Sequence, residues 1–251
     1  MRKFACVLAG VLLGAFLLAA CSGGGSGSSD SEHPLTGVWY GVADDITDAG
    51  SYKTIRLTFD SNGAITKIEI DGAVTGNTAA LNDESQRLYD YTDAAGDTLA
   101  VYADSGHEHI AIADSTAVVG VLEKGASALS TYSVQDAAGS YDGEGIALYG
   151  DFTLAGRADT RTAITGSSAP LAFSYEDGSG CKDSGTINAP DSSYGVFPGT
   201  FTNNSGPNCI SGGDLRHYLT PDKAFAFTVG CTSLTDAAYP DDCALIAHSR
   251  D

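Results

Sequence analysis

Residues 53–70 read Lys53-Thr54-Ile55-Arg56-Leu57-Thr58-Phe59-Asp60-Ser61-Asn62-Gly63-Ala64-Ile65-Thr66-Lys67-Ile68-Glu69-Ile70. Ile55, Leu57 and Phe59 alternate with Thr54, Arg56 and Thr58, which puts the two sets on opposite faces of a strand. Asp60-Ser61-Asn62-Gly63 then supplies a hairpin turn, and a second run follows. A calcium loop is not read here, because Ala64 stands where a ligand is needed and no glutamate closes the loop. The same grammar of short β-like runs separated by Gly, Asn, Asp and Ser recurs from Leu35 onward. It predicts strands at Thr36–Val42, Tyr52–Asp60, Ala64–Asp71, Val74–Asn77, Gln86–Thr92, Thr98–Ala103, His109–Ala113 and Ala117–Leu122. Eight short antiparallel strands are just enough to close a barrel, with Leu57, Phe59, Ile68, Ile70 and Ile112 pointing inward.

Composition agrees. The 251 residues hold 31 glycines, and aspartate outnumbers glutamate 25 to 7, which favours turn-rich all-β structure over long helices. The pattern also repeats. Leu35-Thr36-Gly37-Val38-Trp39-Tyr40-Gly41 aligns with Ala137-Ala138-Gly139-Ser140-Tyr141-Asp142-Gly143, and each pass ends on two adjacent apolar strands. The expectation is therefore two small antiparallel barrels in tandem, residues 35–125 and 137–251, with a single sandwich as the rival.

Gly37-Val38-Trp39-Tyr40 resembles the Gly-x-Trp start of the first strand of lipocalins and avidins. That resemblance implies that Trp39 caps a barrel floor and borders any ligand pocket, and that an arginine of the last strand stacks on the indole. In the first pass only Lys124 is near that position. The N-terminus carries a second resemblance. Met1-Arg2-Lys3-Phe4 is basic, Ala5 to Leu18 is apolar and too short to span a bilayer with assurance, and Leu18-Ala19-Ala20-Cys21 resembles the lipobox of bacterial lipoproteins. It implies that residues 1–20 are a signal peptide, that Cys21 is the lipid attachment site, and, with Ser22 following, an outer-membrane address. Residues 21–34 read as the lipidated cysteine and a Gly/Ser tether that includes a solvated His33.

Without the signal, eleven cations face 32 anions, a net charge of −21. Such a balance excludes nucleic-acid phosphate as a partner and adhesion to anionic lipid by charge. Cys181, Cys209, Cys231 and Cys243 remain for an oxidising compartment, with no C-x-x-C, and read as two disulfides. Of the three connectivities, Cys181–Cys209 and Cys231–Cys243 are favoured as local closures.

No Ser lies in a nucleophile elbow, no phosphate loop or dinucleotide fingerprint is present, and no cofactor is implied. His107-Glu108-His109 lacks the second histidine of a zinc-protease motif. Read as a strand, it turns both imidazoles to solvent and offers no third ligand. Asp44-Asp45-Asp48, Asp90-Asp93-Asp97 and Asp236-Asp241-Asp242 offer at most weak calcium. His217 and His248 have no nucleophile partner by spacing. The chain reads as non-enzymatic, a lipid-anchored binding module for a small apolar ligand or a partner protein. The alternative is an envelope protein without a pocket.

Overall fold

The computed structural model describes residues 32–48, 50–148, 154–204, 209, 212–233 and 243–250. Cys21, the signal and most of the tether, and Asp236, Asp241 and Asp242 lie outside the described residues.

The first barrel is built from β1 (Gly37–Asp45), β2 (Lys53–Phe59), β3 (Ile65–Ile70), β4 (Ala73–Val74), β5 (Ala79–Ser85), β6 (Leu88–Asp93), β7 (Thr98–Ala103), β8 (His109–Asp114) and β9 (Val118–Lys124). Its order is β2-β1-β9-β8-β7-β6-β5-β3, closed by β2 against β3, with β4 appended to β3. A one-turn helix α1 (Val134–Ala137) leads into the second barrel. That barrel comprises β10 (Gly139–Leu148), β11 (Leu154–Thr165), β12 (Leu171–Asp177), β13 (Lys182–Ile187), β14 (Val196–Asn203), β15 (Gly212–Leu219), β16 (Phe225–Cys231) and β17 (Cys243–Arg250), closed in sequence order. The chain is thus two closed eight-stranded antiparallel barrels in tandem, and both barrels belong to one compact unit, Glu32–Asp251.

The abundance of aspartate has a structural cause. Asp60, Asp93, Asp114 and Asp177 each begin a tight hairpin and accept the backbone N–H groups two and four residues on. The fourth residue of each turn has positive φ: Gly63 at 81°, Gly96 at 95°, Gly180 at 93°, with Ala117 at 70° taking the glycine's place once. A short carboxylate satisfies turn amides that the ladder leaves free, which Glu is too long to do.

The internal repeat holds in three dimensions. Trp39 donates from Nε1 to the Leu35 carbonyl at 2.7 Å, and Tyr141 donates from its hydroxyl to the Ala137 carbonyl at 2.8 Å, each four residues back. Trp39 pairs with Lys124 across β1 and β9 as Tyr141 pairs with Arg250 across β10 and β17. The Lys124 ammonium lies 5.5 Å from the indole and the Arg250 guanidinium 6.0 Å from the phenol ring. Gly41 and Gly143 occupy equivalent points where the first strand presses on the last. A Cβ would overlap the Val121 carbonyl in one barrel and the Ala247 carbonyl in the other.

Both disulfides have the expected connectivity, Cys181–Cys209 and Cys231–Cys243. Several other expectations are corrected. Val74–Asn77 is not a wall strand, since only Ala73 and Val74 pair, and the eighth wall strand is Ala79–Ser85, whose polar Asn82-Asp83-Glu84 stretch lacks the alternation that marks its neighbours. Ile70 lies at the far end of β3 and is 39 % exposed, so it is not a core residue. The tether ends before His33, whose N–H bonds the Ser61 carbonyl and whose ring packs on Gly63 and edge-on to Tyr89 at 5.2 Å. Leu35 is fully buried just after it.

The barrels are not independent beads. Val42, Tyr102, Ala111, Val119 and Val121 of the first pack with Tyr218, Phe225, Phe227, Val229, Leu245 and Ala247 of the second in one buried cluster. In β8, Ile110 and Ile112 fill the first barrel while Ala111 and Ala113 face the second, and all seven residues of β16 are buried. Strands apolar on both faces are what a double-sided core requires.

Candidate functional site

The polar chemistry of the molecule gathers at three places around this junction and inside the second barrel. At the rim is a cleft of ≈ 250 Å³ bordered by Arg87, Tyr102, Asp104, Asp142, Glu144, Asp159 and His248. Its hub is Glu144 on β10. One carboxylate oxygen, Oε2, accepts from the Tyr102 hydroxyl at 2.6 Å, from Arg157 at 2.6 Å and from Arg87 at 3.2 Å. Both guanidinium groups lie over the Tyr102 ring, at 5.3 and 5.6 Å. Arg157 also donates to the carbonyls of Ser85 and Gln86 at 3.0 and 2.7 Å. Those carbonyls lie at the end of β5 and in the two-residue turn to β6, where Gln86 and Arg87 have φ of 50° and 71°. Such a turn favours Asn-Gly, so Gln-Arg stores strain, and a side chain of the other barrel clasps it. Nothing in the local sequence signals this turn.

Next to the cleft, His109 stacks on Phe225 with centroids 5.7 Å apart and planes at 6°. Its Nδ1 meets Asp104 at 2.9 Å and its Nε2 meets Asp222 of the second barrel at 2.8 Å. Burial opposes the imidazolium, but the two carboxylates outweigh it and raise the pKa to about 9. His109 is therefore not turned to solvent, because the outer face of β8 is the face that meets the second barrel. His107 does not share that face. It sits in the preceding turn with φ of 53° and meets the Tyr89 hydroxyl at 3.1 Å. A general base needs a free nitrogen, and both of His109's are held by carboxylates, so the arrangement is a charged clamp between barrels.

Across the junction, Asp44 is 1 % exposed. Burial raises its pKa to about 6, against the pull of Arg216 at 3.5 Å and of the Tyr218 hydroxyl, which donates at 2.8 Å. Arg216 in turn donates to Tyr52 at 2.9 Å. Asp45 is separately engaged by Thr47, so the Asp44-Asp45-Asp48 cluster is not gathered around one point, and Asp93 is spent on its own turn. Among the described residues no group of three or more His, Cys, Asp or Glu side chains is arranged to hold a metal ion.

Inside the second barrel, Thr228 joins two histidines: its hydroxyl lies 2.9 Å from His217 Nδ1 and 2.9 Å from His248 Nε2. All three are buried. Burial drives the pKa of His248 down to about 3 and that of His217 well below its ordinary value, so both are neutral at pH 7. The register pairs His217 with Thr228 and Ala226 with His248, which brings residues from three strands to one level of the barrel. The rings of Tyr141 and Phe197 pack around that level, with centroids 5.2 and 6.0 Å from His217, while His217 Nε2 and His248 Nδ1 are buried without a hydrogen-bond partner.

Trp39 is fully buried in the first barrel, edge-on to Phe59 at 6.2 Å. Leu57, Phe59, Tyr91, Ile112 and Leu122 belong to the same buried cluster. Leu35 and Lys124 close its outer side.

No family model and no curated protein matches the chain. Among solved structures it is similar to a protein of unknown function from the DUF3598 family of Nostoc punctiforme, with 11 % identity, a TM-score of 0.37, and 87 % of this chain and 97 % of that chain covered.

Proposed function

We propose that the chain is a lipid-anchored, extracytoplasmic binding module that holds a partner protein on its outer surface and performs no catalysis. The observation that carries this reading is the buried interior: the sole tryptophan is fully buried in the first barrel, and aromatic rings with the His217–Thr228–His248 group lie buried in the second. A barrel packed in this way works through loops and outer faces, whereas a carrier of apolar ligands keeps a hollow. The shared apolar junction and the ionic clamps at its edges support a rigid two-barrel body, which presents a partner with a preorganised surface. The anchor reading rests on Leu18-Ala19-Ala20-Cys21, and the outer-membrane address on Ser22.

A substitution at Cys21 tests the anchor. Cys21→Ser expressed in a diderm bacterium shifts the protein from the membrane fraction to the soluble fraction and removes the mass of the acyl chains. Retention of the variant on membranes after a high-salt wash contradicts the assignment. Cross-linking on intact cells with the wild-type anchor then recovers a protein neighbour in the partner-binding reading, and none if the molecule acts by position alone.

A further inference from the structure

Closing two barrels removes every wall edge but leaves one strand outside. The chain leaves β3 through Asp71 and Gly72, and β4 returns along it, with Val74 opposite Glu69 and the Thr75 N–H donating to the Ile68 carbonyl at 3.0 Å. Only at Ala79 does the returning chain enter the wall. In the strand order β4 is terminal: β3 flanks one side, and no strand among the described residues flanks the other. Every residue from 73 to 78 is exposed. Since the Thr75 N–H points to β3, strand alternation turns the Val74 N–H to the open side.

Proteins normally blunt such an edge by keeping it short, as the two residues of β4 are, and by placing charged residues or proline on it. Here residues 72–82 read Gly-Ala-Val-Thr-Gly-Asn-Thr-Ala-Ala-Leu-Asn, eleven positions without a charge or a proline in a chain that is 18 % charged. Val74 at 58 % and Ile70 at 39 % are two of the three exposed large apolar residues among those described. Asp71 stands at one end of the uncharged stretch and Asp83 with Glu84 at the other.

We infer that the free edge of β4, at Ala73 and Val74, is a docking site for strand addition by an extended segment of a partner protein, uncharged in its paired centre and cationic on its flanks. Main-chain pairing along an open edge supplies affinity, and a side chain set beside Val74, on the outer face that it shares with Glu69, supplies register. Charge selects the occupant. Asp71 is ion-paired with Lys53 at 3.4 Å, yet the chain as a whole carries −19, so a cationic segment is drawn in and a second copy is repelled. The inference rests on the surface-binding reading above and names the site and chemistry of its partner.

The probe is the acetylated peptide Lys-Lys-Thr-Val-Thr-Val-Thr-Lys-Lys, titrated into the full chain and followed by backbone amide shifts, with a glutamate-flanked counterpart as control. The cationic peptide binds with shifts confined to residues 70–80, about tenfold more tightly than the anionic one at low salt. Val74→Pro removes the outward donor without touching the bond to Ile68, and Val74→Lys charges the edge. Each weakens binding about tenfold with an unchanged far-UV spectrum, and if the proline variant misfolds the lysine variant decides. Absence of binding at about 1 mM, or equal binding by the folded variants, overturns the site. A concentration-dependent dimer that Val74→Lys abolishes overturns the occupant in favour of a second copy. Neither result touches the buried interior, whose test is separate.

Discussion

Lowering the pH from 7.5 to 5 at constant salt reduces the melting temperature through His217 and His248. Both are held neutral in the fold, below the unfolded value near 6.5. Their contribution is complete above pH 6.5 and falls as the pH drops through that value, because the unfolded chain then binds protons that the barrel refuses. For His248 the loss by pH 5 is about 2 kcal/mol, and His217 adds to it in the same direction. Asp44 runs the other way: with a folded pKa of about 6, it is relieved of its buried charge as the pH falls, returning about 1 kcal/mol. His217→Asn with His248→Gln keeps the atoms that meet Thr228 and removes the titration, so the double variant is flat or gains slightly over the same range. On the alkaline side His109 acts: its stabilisation is full below pH 6.5 and disappears as the pH rises through about 9, and His109→Gln flattens that limb. A wild-type acid slope shared by the double variant would sink the assignment.

Tyr218→Ala has the largest expected effect of any single substitution. The ring is fully buried in the junction cluster and its hydroxyl donates to the buried Asp44 carboxylate. Removing a buried aromatic costs about 3–5 kcal/mol, and an Asp44 carboxylate stripped of its donor adds about 1–3 kcal/mol. Calorimetry of the full chain is expected to show one transition for wild type, because each barrel leans on the other's outer face. Tyr218→Phe isolates the hydrogen bond and costs about 1–3 kcal/mol with the single transition kept. Two well-separated wild-type transitions, the first unaffected by Tyr218→Ala, would mean that the junction does not couple the barrels.

The fold was legible where physics is local. The alternation at Ile55, Leu57 and Phe59, the Asp-x-x-Gly turns and the Trp39/Tyr141 repeat each act within a few residues, and the paired cysteines close short loops. The apolar strand near Ala224–Val229 was legible too, but that both of its faces are buried follows only from the junction with the first barrel. What stayed hidden depends on chain closure. His109 finds Asp222 113 residues later, so its clamp has no spacing signal. His217, Thr228 and His248 meet only because three strands take one register. The β5 wall strand was missed because Asn82, Asp83 and Glu84 break the alternation, and the Gln86-Arg87 turn because its support, Arg157, comes from the other barrel.

Trp39 emission decides most directly whether the barrels are filled bodies that work from outside. The full chain is titrated with a fluorescent or natural fatty acid up to about 100 μM, at low and high salt, while the emission maximum and intensity of this single tryptophan are followed. A sealed indole packed against Phe59 and covered by Leu35 and Lys124 gives a blue-shifted maximum that no apolar probe changes. A saturable, salt-insensitive quench or shift of Trp39 at micromolar probe would mean that the first barrel opens to a ligand, and the surface-binding reading would fall.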